Sequence, residues 1–95
     1  MTIDDETLRK GYWYIIHNPR GFVEGLDRID KRLAGYFANA GIISFGMNSL
    51  AQIRYKVTTD GAELAELGYR MITSKMVREK LREEKMNSAC LEVNI

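Results

Sequence analysis

Two short β-rich runs interrupt a chain that otherwise shows helical periodicity. Residues 42–45 and 52–57 are rich in β-branched and aromatic side chains, and Gly46, Met47, Asn48 and Ser49 between them include turn-forming residues. This pattern predicts a β-hairpin. Because the apolar residues before and after the hairpin recur every three or four positions, the sequence predicts an α+β fold that is mainly helical.

The first helix is predicted over residues 4–17. Its first turn is acidic, which suits the positive end of the helix dipole, and Thr2 is the predicted cap. Apolar side chains recur at helical spacing, at Leu8, Tyr12, Ile15 and Ile16. Residues 11–16 also suit a strand by propensity, but the helix is preferred, and it is expected to end at Asn18 because Pro19 follows.

Two further helices are predicted before the hairpin. Residues 19–25 would form a short second helix with Asn18 as its cap and Pro19 in its first turn. Residues 26–39 would form a third helix, whose apolar stripe comprises Leu26, Ile29, Leu33, Phe37 and Ala40. Gly41 is expected to end this helix in the left-handed conformation.

A long last helix is predicted from Asp60 to about Lys85. Asp60 and Glu63 have the spacing of a capping pair, and Leu64, Leu67 and Met71 are expected to face inward, with Ile72 as a further candidate. Beyond Val77 the helix is almost entirely polar, so its end should fray or pack on a second subunit. Residues 3–59 are therefore predicted as a core, 60–86 as a packing helix and 87–95 as a tail with a brief β-like run at 90–93.

Length and composition narrow the class of protein. The 95 residues and 45% apolar content suit a single small core. Cys90 and His17 are the only residues of their types, so neither an internal disulfide nor an ordinary zinc site is predicted. No apolar run is long enough to span a membrane and no signal pattern opens the chain, so a soluble cytoplasmic protein without cofactors is expected.

Charge is unevenly distributed along the chain. Residues 1–27 carry three basic and five acidic side chains. Residues 28–58 carry five basic side chains and one acidic, and residues 59–95 carry six basic and seven acidic. The middle third is therefore a basic island in a chain whose net charge is only +1. Such asymmetry is typical of a protein that presents one face to an anionic partner, although chance spacing is the alternative.

Two segments resemble winged helix-turn-helix regulators, including archaeal and phage ones. Residues 38–43, with the sequence Ala-Asn-Ala-Gly-Ile-Ile, resemble the end of a recognition helix, and residues 55–64 resemble the return from the wing into the next helix. The likeness covers roughly residues 26–67. It implies three N-terminal helices, a two-stranded wing and a long C-terminal helix, with the third helix in the major groove of double-stranded DNA.

The resemblance also implies which residues contact DNA. The outward face of the third helix would carry residues that contact bases or phosphates, namely Arg28, Lys31, Arg32 and Asn39. Arg54 and Lys56 on the wing, and Arg20, would neutralise flanking phosphates. The alternative is a solvated helix face on which Asp27 and Asp30 pair locally with Lys31 and Arg32.

Two functions remain open from the sequence. The first is a sequence-specific DNA-binding regulator, acting as a homodimer through the last helix at Leu67, Met71, Met76 and Leu81. The second is a protein-interaction module on the same scaffold, which would use the aromatic first helix around Trp13 and Tyr14. No enzyme is predicted, because the sequence has no phosphate-binding loop, nucleophile elbow or histidine pair.

Overall fold

A computed structural model describes the backbone of residues 2–93 and the side chains of residues 2–85. This part of the chain forms four helices and a three-stranded antiparallel sheet, so the predicted α+β, mainly helical class is confirmed. In chain order the elements are α1 (Asp5–His17), β1 (Arg20–Phe22), α2 (Val23–Ile29), α3 (Leu33–Asn39), β2 (Ile43–Met47), β3 (Ile53–Val57) and α4 (Gly61–Val93).

Helix α1 lies where the sequence predicts it. Its cap is Asp4 rather than Thr2, because Asp4 has extended backbone angles and its carboxylate accepts a hydrogen bond from Thr7 N–H at 3.4 Å. At the other end, Asn18 donates from both its backbone and its side-chain amide to the Tyr14 carbonyl. The side chains of Leu8, Tyr12 and Ile15 are buried, as their spacing predicts.

The predicted second helix over residues 19–25 is wrong. Arg20–Phe22 forms a strand that pairs with β3, and the Pro19 carbonyl accepts a hydrogen bond from Val57 N–H at 2.8 Å. Pro19 lacks only a donor, so its carbonyl is free to extend the ladder. A long-range strand pairing, which local sequence does not reveal, has replaced the helical turn.

The predicted third helix over residues 26–39 is also wrong, because the chain breaks at Asp30. That residue is extended, with φ −165° and ψ 133°, and its carboxylate accepts a hydrogen bond from Arg32 N–H at 2.8 Å. Aspartate competes with a helix in this way by bonding to the backbone nearby. The stripe still faces inward, since Leu26, Leu33 and Phe37 are fully buried, but it belongs to two short helices.

The hairpin prediction is confirmed, and β1 adds a third strand to it. The sheet order is β1-β3-β2, with both pairings antiparallel. Gly41 has φ 74°, the left-handed conformation expected of it, and turns the chain from α3 towards β2. On β3 the buried Tyr55 donates a hydrogen bond to the Asn18 carbonyl at 2.6 Å, which ties the sheet to the end of α1.

Helix α4 begins where predicted but extends further. The Thr58 hydroxyl, rather than the Asp60 carboxylate, accepts a hydrogen bond from Gly61 N–H at 2.9 Å. The helix continues to Val93, so the β-like run predicted at 90–93 is wrong; the last two tail residues, 94 and 95, lie outside the described part. An ion pair of 3.1 Å between Lys75 and Asp5 joins α4 to the first turn of α1. Within residues 2–93, no helix has the length and apolarity that crossing a membrane requires.

Candidate nucleic-acid interface

The solvent side of the sheet brings together three predicted DNA-contacting residues, Arg20, Arg54 and Lys56. Directly opposed residues in antiparallel strands project to the same face, and Arg20 is opposite Lys56. Alternation along β3 buries Tyr55 and exposes Arg54 and Lys56 on the other side. Two rows of residues cross this cationic sheet face: Arg20, Lys56 and Ser44 in one, and Phe22, Arg54 and Gly46 in the other.

The charges of the cationic sheet face are uncompensated. In the described part of the chain, Arg20, Arg54 and Lys56 make no ion pair of 4.0 Å or less, and neither row contains an acidic residue. A shallow cavity of about 330 Å³ lies over the face and is lined by all three cations. Three neighbouring positive charges repel one another, so an anion bound between them would relieve that repulsion.

Arg54 is partly ordered by an aromatic contact. Its guanidinium lies 5.1 Å from the centre of the Phe22 ring, within the range of a cation–π interaction. Phe22 is 42% exposed, so the pair stays at the surface. A guanidinium already held in place loses less freedom when it binds a phosphate.

Arg28 and Lys31 lie outside α3. Arg28 is on α2, where it donates to the Glu24 carboxylate at 3.0 Å, and Lys31 is exposed in the turn after α2. The predicted placement of Arg28 and Lys31 on the third helix is therefore wrong, because the chain breaks at Asp30, between α2 and α3. Both partners of the Arg28–Glu24 pair are exposed, and such surface pairs are weak and readily exchanged.

Arg32 is engaged by protein atoms on two sides. It forms a 2.6 Å ion pair with Asp30 and donates to the Thr2 carbonyl at 3.0 Å. The hydrogen bond from the Arg32 guanidinium lowers the pKa of Asp30 to about 2. The local pairing of Asp30 with Arg32, one of the alternatives left open by the sequence, is thus confirmed. Through its hydrogen bond to the Thr2 carbonyl, Arg32 also links the N-terminal segment to the α2–α3 turn.

Helix α3 presents a short outer face without charged side chains. Leu33, Ala34 and Phe37 are buried, which leaves Gly35, Tyr36 and Asn39 on the solvent side. Its seven residues span only about 10 Å. Asn39, at the end of α3, is the predicted base-contacting residue that remains exposed on this helix.

Phe22 and Ser44 are members of the cationic sheet face that the sequence does not predict. Because residues 19–25 are predicted as a helix, the alternation of Arg20, Gly21 and Phe22 is not interpreted as that of a strand. Once these residues form a strand, their alternate spacing puts Arg20 and Phe22 on one face. This alternation is visible in the sequence, but it indicates a strand only once the pairing with β3 is known.

Further exposed apolar side chains lie on α1 and on the hairpin. Trp13 on α1 is 49% exposed and stacks on His17 with ring centres 4.1 Å apart, whereas Tyr14 is partly buried. On the hairpin, four apolar side chains of β2, β3 and the connecting tip are exposed, namely Phe45, Met47, Leu50 and Ile53.

The residues predicted to form a dimer interface lie on two sides of α4. Leu67, Met71 and Leu81 are exposed on the outer side, whereas Met76 is partly buried. Met76 therefore does not share the surface of the other three. The prediction that Leu64, Leu67 and Met71 face inward is wrong, since all three are exposed. The smaller Ala65 and Gly68, with Ile72, occupy the side of α4 that packs on the core.

The described residues contain no cluster of three or more histidine, cysteine, aspartate or glutamate side chains that could hold a metal ion. Comparison of the chain with protein-family models, with curated proteins and with solved structures finds no match.

Proposed function

We propose that the protein binds double-stranded DNA through a winged-helix arrangement and acts as a small transcriptional regulator. The order helix, strand, two helices and hairpin supports this arrangement, as does the β1-β3-β2 sheet. In it α3 would be the recognition helix, and β2 and β3 the wing.

The cationic sheet face is the observation that carries the proposal. Arg20, Arg54 and Lys56 come from two strands and converge on one surface without an acidic neighbour in either cross-strand row. Contacts to phosphates supply much of the affinity of DNA-binding proteins, because each one releases counterions from the duplex. Three convergent cations and the adjacent Ser44 hydroxyl have the chemistry to contact successive phosphates.

Base recognition is proposed for the side of the molecule that carries α3. Asn39 can form two hydrogen bonds with adenine in the major groove, and Lys31 can contact a phosphate or guanine nearby. Arg28 can join them by exchanging its exposed Glu24 partner for DNA. Arg32 is not included, because Asp30 and the Thr2 carbonyl hold it.

A matched pair of variants tests this proposal. Arg54→Gln/Lys56→Gln removes two cations from the sheet face, and Arg9→Gln/Lys10→Gln removes two from α1, where both contact Glu6 at 3.9 Å. Fluorescence anisotropy with a mixed pool of short duplexes at low salt measures the affinity. We expect about a tenfold or greater loss for the sheet variant and little change for the α1 variant. No binding by the unmodified chain, or equal losses in both variants, would refute the proposal.

Binding to a protein partner is the second candidate function. The exposed hairpin side chains Phe45, Met47, Leu50 and Ile53 favour it, because such apolar groups often anchor protein interfaces. Duplex binding measured for both the unmodified chain and the Met47→Ser/Leu50→Ser variant separates the candidates. A DNA-binding protein keeps its affinity for duplexes in this variant, whereas a protein-interaction module shows no duplex binding to begin with.

A further inference from the structure

The second half of α4 extends away from the body of the protein. The Lys75–Asp5 ion pair marks the far end of α1, and every side chain over residues 77–85 is exposed. From Val77 to Val93 the helix runs for about 25 Å. The described residues accordingly extend 69 Å along one axis but only 24 and 22 Å across. A helical segment without neighbours is only marginally stable in water.

The outer surface of α4 carries an apolar stripe that the described part of the chain does not bury. Its members are Leu64, Leu67, Met71 and Leu81, between 43% and 62% exposed. Their spacing, with Ser74 and Arg78 in the intervening positions, follows the three-and-four pattern of helices that pair with other helices. The opposite side of α4 packs on α1 through Ala65, Gly68 and Ile72.

Charge along α4 is polarised. Residues 59–69 carry three acidic side chains and no basic one, whereas residues 70–82 carry five basic side chains and one acidic. Two parallel α4 helices in register would place like charges side by side. Two antiparallel helices that place Leu64 beside Leu81 would set the acidic segment of each, with three acidic and no basic side chains, against residues 76–86 of the other, which carry four basic and three acidic side chains.

We propose that the partner of this surface is a second copy of the chain, with the two α4 helices antiparallel. The extended half of each helix then covers the apolar stripe on the other copy, and Leu81 lies beside Leu64 of the second copy. Asp60 and Glu63 face residues 82–85 of the second copy, where Arg82 and Lys85 accompany Glu83 and Glu84. A two-fold axis near residue 73 relates the two copies and generates all of these contacts. The interface is therefore closed, and the assembly contains two chains.

Disulfide trapping tests the orientation in the full chain. The only native cysteine is removed by Cys90→Ser, and Leu64→Cys and Leu81→Cys are then made separately. After mild oxidation, we expect an equimolar mixture of the two variants to give at least tenfold more covalent dimer than either variant alone. Light scattering should give a mass of two chains for the unmodified protein. Ser49→Cys, at the exposed hairpin tip, measures random cross-linking.

Three results would overturn the proposal: efficient cross-linking of each single variant with itself, a mixture no better than the Ser49→Cys control, or a one-chain mass at micromolar concentration. Leu64 and Leu81 are exposed within one copy, so circular dichroism should show that both variants fold. The result is independent of DNA binding. A monomer that binds duplexes contradicts only the pairing, and a dimer that binds none contradicts only the proposed function.

Discussion

Arg32 is predicted to contact DNA, but in the structure its guanidinium is bound by other atoms of the protein. Its position in a basic island suggested contact with DNA, but a carboxylate two residues earlier and the Thr2 carbonyl engage its guanidinium. The same aspartate ends α2, so the ion pair and the helix break arise together. Arg32 therefore stabilises the turn between α2 and α3, and the cations available to an anion lie elsewhere.

The Asp30–Arg32 pair should make stability depend on pH in acid. The pKa of Asp30 falls from 3.8 to about 2 on folding, so its contribution is complete above about pH 4 and is lost as the pH falls to 2. Urea midpoints measured between pH 5 and pH 2 should therefore decrease, and Asp30→Asn should decrease less steeply. An Asp30→Asn variant with the same pH dependence as the unmodified chain would contradict this role.

Gly61 and Gly35 should respond to alanine in opposite directions. A Cβ atom at Gly61 would collide with the Ile42 carbonyl, whereas one at Gly35 meets nothing within 4 Å. Gly61→Ala should cost about 1–3 kcal/mol because backbone has to move. Gly35→Ala should add about 0.5–1 kcal/mol to the stability because glycine disfavours helix interiors. Thermal unfolding of both variants measures the difference, and an equal effect at the two sites would be unexpected.

At the scale of elements, the sequence predicted what local chemistry determines. Helix α1, the hairpin, the Gly41 turn and the start of α4 were all predicted, because each depends on residues close in sequence. The β1 strand was missed because its pairing with β3 joins residues more than thirty positions apart. The break at Asp30 was missed because the apolar stripe continues through it, and periodicity alone does not reveal a side chain that bonds to the backbone.

The sheet and α3 should contribute differently to DNA binding. Lys56 faces phosphates in the proposal, so Lys56→Ala should weaken binding to all duplexes by a similar factor. Asn39 is proposed to contact a base, so Asn39→Ala should change the preference at one base pair by about 1–3 kcal/mol. Selection of bound duplexes from a random pool, repeated with each variant, measures both effects. An altered sequence preference in Lys56→Ala would argue against this division.

At the scale of the whole molecule, the protein separates its surfaces by chemistry. Cations gather on the open side of the sheet, exposed apolar groups lie on the hairpin, and α4 carries a polarised stripe along its outer side. The net charge of +1 conceals this separation. The middle third of the chain supplies Arg54 and Lys56, and folding brings Arg20 from outside that third to join them.

The dependence of duplex binding on salt tests the central claim most directly. The logarithm of the affinity should fall linearly with the logarithm of the salt concentration, by about 0.9 for each phosphate contacted. The variant Arg20→Gln/Arg54→Gln/Lys56→Gln should bind more weakly and have a slope smaller by about 2 to 3, because it lacks up to three phosphate contacts. A slope that is unchanged in this variant would contradict the account, since the phosphates would then contact some other surface.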